Sequence, residues 1–86
     1  MEGKNMKVTI KDVHELAKQI NTLKGFENVS YNTIGALHVY KDGCGIAIDM
    51  IMNSGGGVKR IAGGGLTTKE AYFYLKGLLD TLESEV

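Results

Sequence analysis

Leu37-His38-Val39-Tyr40-Lys41-Asp42-Gly43-Cys44-Gly45-Ile46-Ala47-Ile48-Asp49-Met50-Ile51-Met52 is the stretch whose reading decides the fold. Apolar residues alternate with polar or small ones on both sides of Asp42-Gly43, and a period of two marks half-buried strands. Asp-Gly is a strong two-residue hairpin signal, because a type I′ turn needs positive φ at both central positions. A turn centred there sets Lys41 opposite Cys44, Val39 opposite Ile46 and Leu37 opposite Ile48. Leu37, Val39, Ile46, Ile48, Met50 and Met52 then share one face, as a buried face requires, and a slip of one residue would scatter them. The other face carries Ala36, His38, Tyr40, Gly45, Ala47, Asp49 and Ile51.

On either side of this hairpin the period lengthens. Ile10, Val13, Leu16, Ala17, Ile20 and Leu23 recur at three- and four-residue spacing, which is one face of a helix. Thr9 stands at its start with Asp12 in the third position, a relative of the capping box, and Gly25 supplies the stop. Beyond the hairpin, Thr67-Thr68-Lys69-Glu70 is a full capping box. Ala71, Leu75, Leu78, Leu79 and Leu82 continue it as a helix from about Thr68 to Glu83. Gly77 interrupts that helix at a cost of about 1 kcal/mol against alanine, which suggests a close approach to the sheet or to another subunit.

Between hairpin and closing helix, Asn53-Ser54-Gly55-Gly56-Gly57 reads as a turn and Val58 to Ala62 as a third strand. Gly63-Gly64-Gly65 then reads as the loop that leads into the helix. Val29-Ser30-Tyr31 either extends the first strand backwards or forms a strand of its own, with Asn32 to Gly35 as a bulge or turn. The expected architecture is therefore α+β: helix, antiparallel sheet of three or four strands, helix, with both helices on one sheet face. Residues 1–86 read as a single domain, with 1–6 as a loose tail.

Composition narrows the function. The chain has 10 Lys plus Arg against 10 Asp plus Glu, so it lacks both the basic stripe of a general nucleic-acid binder and the acid excess of a DNA mimic. Cys44 is the single cysteine, so neither an intrachain disulfide nor a thiolate zinc site is expected, and a reducing cytoplasm suits the chain. The two histidines stand too far apart in sequence to suggest a metal centre. No apolar run has membrane-spanning length and no signal peptide opens the chain, so a membrane location is not expected. A domain of this size buries about two-thirds of its unfolded surface. With 43% hydrophobic residues, a homo-oligomer is expected.

Two constellations stand out. Gly63, Gly64 and Gly65 run into a helix start at Thr67 and Thr68. Lys59, Arg60 and Lys69 lie close in sequence, so backbone N–H groups, the helix dipole and three cations could receive a phosphate. The order of Lys69 and the threonines is not that of a P-loop, and no parallel βαβ unit supports a dinucleotide fingerprint. A structural turn that needs positive φ, with Thr67 as cap, explains the same residues. The second constellation is His38 with Asp49, diagonal neighbours on the less apolar sheet face, able to orient an imidazole but lacking a nucleophile. With Tyr40, Tyr72 and Tyr74 they make a candidate partner surface. Tyr31 and Phe73 add further stacking area. No hydrolytic triad, carboxylate pair or metal cluster can be assembled, so neither catalysis nor a cofactor is expected.

Gly43-Cys44-Gly45, Asn53-Ser54-Gly55-Gly56-Gly57, Thr67-Thr68-Lys69-Glu70-Ala71-Tyr72 and Gly77-Leu78 resemble a diffuse group of short bacteriophage and prophage proteins. That group shows a strand ending N-x-GGG and a closing helix written T-x-[KR]-E-x-Y. The likeness covers roughly Gly43 to Leu79, and Ala71 departs from the Glu-Leu-Tyr that members often carry. It implies a non-enzymatic accessory protein of the host cytoplasm, in one of two forms. One is an oligomeric anti-defence protein that sequesters a phosphorylated, nucleotide-like signal. The other is an anti-CRISPR-like inhibitor that blocks a host defence protein by surface contact.

Overall fold

The computed structural model describes residues 7–84, so the tail expected over 1–6 lies outside the described residues. The element order is α1 (Ile10–Leu23), β1 (Leu37–Asp42), β2 (Gly45–Ile51), β3 (Val58–Leu66) and α2 (Thr68–Ser84). The three strands form one antiparallel sheet in the order β1-β2-β3. This is the α+β arrangement of helix, sheet and helix that the periodicities indicate. Among the described residues, no helix is long and apolar enough to cross a membrane.

Local chemistry fixes the helix ends. Thr9 Oγ1 accepts the Asp12 N–H while Asp12 returns a bond to the Thr9 N–H, which closes a reciprocal box. At the other end Gly25 takes a φ of +97°. Phe26 N–H donates to Asn21 C=O and Gly25 N–H to Thr22 C=O, the Schellman pattern that ends a helix through a left-handed glycine. Thr67 and Glu70 repeat the box at the start of α2.

One apolar cluster joins the layers. It contains Val13, Leu16, Ala17 and Ile20 from α1, Ala71, Leu75 and Leu79 from α2, and Leu37, Val39, Ile46 and Ile48 from the sheet. Met50 packs at its margin, whereas Met52 lies past the end of β2 and is half exposed. Fully burying a residue such as Ile20, Ile46, Ile48 or Leu75 contributes about 2 kcal/mol each.

The hairpin register differs from the sequence expectation. Asp42 pairs with Gly45, Val39 with Ile48 and Leu37 with Met50, a displacement of two residues on β2. Asp42 is the reason. Its Oδ1 accepts the Cys44 N–H at 2.8 Å, so Asp42 stands before the turn rather than within it. Among the described residues no non-glycine residue has a positive φ, and in the hairpin the positive value falls on Gly45. Because the displacement is even, every side chain keeps its face. That is why the buried set survives a wrong register.

Three further expectations change. β3 does not stop at Ala62 but runs to Leu66, so Gly63-Gly64-Gly65 belongs to the strand and only Thr67 separates β3 from α2. Register breaks between Ile46 and Ala47 and between Ile48 and Asp49 accommodate the extra residues as bulges. Gly77 makes no close approach to the sheet, since a Cβ there would meet nothing within 4 Å. Val29-Ser30-Tyr31 is not a strand. It lies in a folded connection held by Ser30 N–H to Thr33 Oγ1 and by Gly35 N–H to Ile51 C=O.

Asn21 is a buried polar residue that sequence reading overlooked. Its carboxamide accepts the Leu37 N–H at 2.8 Å and donates to the Leu37 C=O at 3.1 Å. A side chain thus takes the place of a neighbouring strand at the edge of β1. Asn21→Ala leaves both Leu37 groups without that partner and is expected to cost about 3 kcal/mol in urea unfolding. Gly77→Ala is expected to raise stability by up to about 1 kcal/mol in the same assay, as an alanine in open helix should.

Candidate functional site: the second face of the sheet

The face of the sheet opposite Leu37, Val39, Ile46 and Ile48 is built in cross-strand rows. In the central row Asp49 on β2 stands directly between His38 on β1 and Arg60 on β3. The two-residue displacement turns the expected diagonal relation of His38 and Asp49 into a direct one. Asp49 is 5% exposed, and its Oδ1 accepts from Arg60 Nε at 3.0 Å. Its hydrogen-bond partner is therefore the guanidinium rather than the imidazole. Arg60 keeps half of its side chain in solvent, so the pair is a buried carboxylate under an exposed cation. Desolvating Asp49 needs such a partner.

Rows of small and apolar residues flank this polar row. Tyr40, Ala47 and Gly63 form one, Ile51 and Val58 the other. Beside Ile51 the 26–35 connection adds Val29, Ser30 and Tyr31. Together with His38, Gly56 and Val58 they line a hollow of about 360 Å³. Tyr31 is 72% exposed and rests on Gly56, where a Cβ would meet the ring at 3.0 Å. Gly56 has a φ of +89°, so the turn and the ring both call for glycine. Val29, Tyr40, Met52 and Val58 are also substantially exposed.

The first glycine triplet shapes this rim. Asn53 Oδ1 accepts the N–H groups of Gly55 and Gly57 at 3.0 and 2.9 Å, and Met52 N–H donates to Gly57 C=O. The Asn53–Gly57 turn is therefore wrapped round one carboxamide.

The candidate anion residues do not assemble as their sequence proximity suggests. Lys59 pairs with Met50 and Arg60 with Asp49, so the adjacent cations alternate across the strand, and Arg60 is engaged with a carboxylate. Gly45 and Gly65 instead serve contact between strands, since a Cβ on Gly45 would lie 2.7 Å from Gly65 Cα. Gly63 is constrained in the same way by Ile46 C=O at 2.6 Å, while Gly64 lies beside Arg60 Nη1. Thr67 and Glu70 satisfy each other's N–H groups. Of the candidate set, Gly65, Thr67 and Thr68 do line a common hollow of about 370 Å³ with the hairpin turn. The cation there is Lys41, and Lys69 is not among its lining residues.

The partner-surface set also divides. His38, Tyr40 and Asp49 share the second face. Tyr72 packs against the apolar cluster, lines a groove with Val8, Asp12 and Leu16, and meets Phe73 edge to face at 5.3 Å between ring centroids. Tyr74 is exposed on α2. Among the described residues, no group of three or more His, Cys, Asp and Glu could hold a metal ion. Sequence reading missed Val29, Gly56 and Val58 as site residues, and their only signal was an apolar valine at each end of a turn-rich segment.

Comparison with protein-family models, curated proteins and solved structures finds no match to this chain.

A double-mutant cycle over Asp49→Ala and Arg60→Ala is expected to give a coupling energy of about 1 kcal/mol or more. Additive losses of stability would show that the two groups act separately.

Proposed function

We propose that this chain is a non-enzymatic binding protein of the phage accessory kind, acting in the host cytoplasm by surface contact through the second face of its sheet. The observation that carries this reading is the apolar hollow of Val29, Tyr31, Ile51 and Val58 set beside the Arg60–Asp49–His38 row. An exposed aromatic rim, a pocket of side-chain size and a fixed charge pair are the ingredients of an interface anchor site. The partner that suits it is a host defence protein presenting a bulky apolar side chain next to a carboxylate that can reach Arg60.

Sequestration of a phosphorylated, nucleotide-like signal is the second reading. The hollow between the hairpin turn and the start of α2 favours it, because Lys41 and Thr68 face the same space. The division of Lys59 from Arg60 weighs against the site as first composed.

Pull-down from a bacterial lysate distinguishes the two. The contact reading expects one stoichiometric partner that is lost, at least tenfold in recovery, with Val58→Asp and with Tyr31→Ala, while Lys41→Ala retains it. Thermal shift with cyclic dinucleotides and ADP-ribose derivatives should leave the melting midpoint unchanged. A saturable rise in midpoint that Lys41→Ala abolishes would overturn the contact reading in favour of sequestration.

A further inference from the structure

The outer edge of β1 is only partly closed. In an antiparallel pair, successive residues turn their backbone N–H and C=O groups alternately toward the partner strand and away from it. Leu37 turns both groups away from β2, because both meet the Asn21 carboxamide. By the same alternation Val39 and Lys41 turn theirs outward, while His38, Tyr40 and Asp42 bond to Asp49, Ala47 and Gly45. Among the described residues, the outward groups of Val39 and Lys41 have no hydrogen-bond partner. The opposite edge of the sheet is different in kind. β3 is broken by two register shifts, one at the positive-φ glycines Gly64 and Gly65 and one at Ile61, and such bulges blunt an edge. β1 keeps one unbroken register along its length.

We propose that this open edge binds a second copy of the chain, β1 against β1 in antiparallel sense about a two-fold axis at Tyr40, so that two three-stranded sheets become one. The strand is complementary to itself in that register. Val39 of one copy and Lys41 of the other exchange both backbone hydrogen bonds, and the axis repeats the exchange. Tyr40 meets Tyr40 at the close, non-hydrogen-bonded position, where an aromatic pair is favourable. His38 stands opposite Asp42 of the second copy on the exposed face. Asp42 Oδ1 already holds the Cys44 N–H, which leaves Oδ2 for the imidazole.

Neighbouring registers are excluded by the same residues. Centring the axis on Lys41 sets two ammonium groups directly opposite each other, which is unfavourable. Centring it on Val39 asks Lys41 to bond the Leu37 backbone of the second copy, which that copy's Asn21 already occupies. Asn21 therefore selects the register as well as limiting the length of the pairing. The proposal does not depend on what the second face binds.

Sedimentation equilibrium on the full chain tests it. At high protein concentration the wild type is expected at twice the monomer mass. Tyr40→Asp, which places two carboxylates at the axis on an exposed position, is expected to sediment as monomer with an unchanged circular dichroism spectrum. A second measurement uses Tyr40→Cys in a Cys44→Ser background under oxidised glutathione. Close non-hydrogen-bonded pairs have Cα atoms about 4.5 Å apart, within disulfide range, so a covalent dimer should be the main product. Lys59→Cys in the same background should give no covalent dimer. A monomer at every concentration overturns the proposal, and so does a dimer that Tyr40→Asp leaves intact and that gives no crosslink at position 40. Capture of a foreign extended peptide on β1 by a chain that remains monomeric would also overturn it.

Discussion

A single carboxamide sets the terms for the rest of the structure. Asn21 projects from α1 and makes the pair of hydrogen bonds to Leu37 that another strand would otherwise make. It is buried among apolar neighbours, where a carboxamide is tolerated only when its polar atoms are satisfied. The bond pair does more than relieve that cost. It holds α1 at a definite position along β1, and with it the apolar stripe of Val13, Leu16, Ala17 and Ile20 over Leu37 and Val39. It also decides which part of the outer edge remains open.

Glycine supplies the second constraint, by permitting strands to come closer than side chains would allow. Gly45 and Gly65 meet backbone to backbone, and Gly63 approaches Ile46 C=O. One bulge falls there, at Gly64 and Gly65, and a second at Ile61, and together they absorb the surplus of β3 residues opposite Ile46 to Asp49. The consequence on the second face is chemical. Arg60 is delivered opposite Asp49 while Lys59 is sent the other way, so an adjacent pair of cations becomes one ion pair and one solvated ammonium.

What the sequence made legible was local or periodic. Both capping boxes, the glycine stop of α1 and the alternation of Leu37, Val39, Ile46 and Ile48 depend on residues a few positions apart, and all three appear as read. What it concealed was cross-strand. Asp-Gly indicated a turn, but Asp42 sits before it because its Oδ1 bonds the Cys44 N–H, an Asx-turn that competes with the type I′ reading of the same dipeptide. Gly63-Gly64-Gly65 resembles a loop until Gly45 is placed beside it. Asn21 did leave a trace, since it continues the Val13–Ala17 spacing by four residues and so lies on the buried stripe. A polar residue on such a stripe is a question about its partner, and the partner was Leu37.

These constraints converge on the state of the β1 edge, which residue-resolved amide hydrogen exchange reads directly. In dilute solution Leu37 N–H, held by Asn21, is predicted to exchange slowly, whereas Val39 and Lys41 N–H, on the same edge but without an internal partner, are predicted to exchange much faster. Equal exchange at Leu37 and Val39 would contradict the account, because the edge would then be either wholly open or wholly closed and Asn21 would not be what divides it.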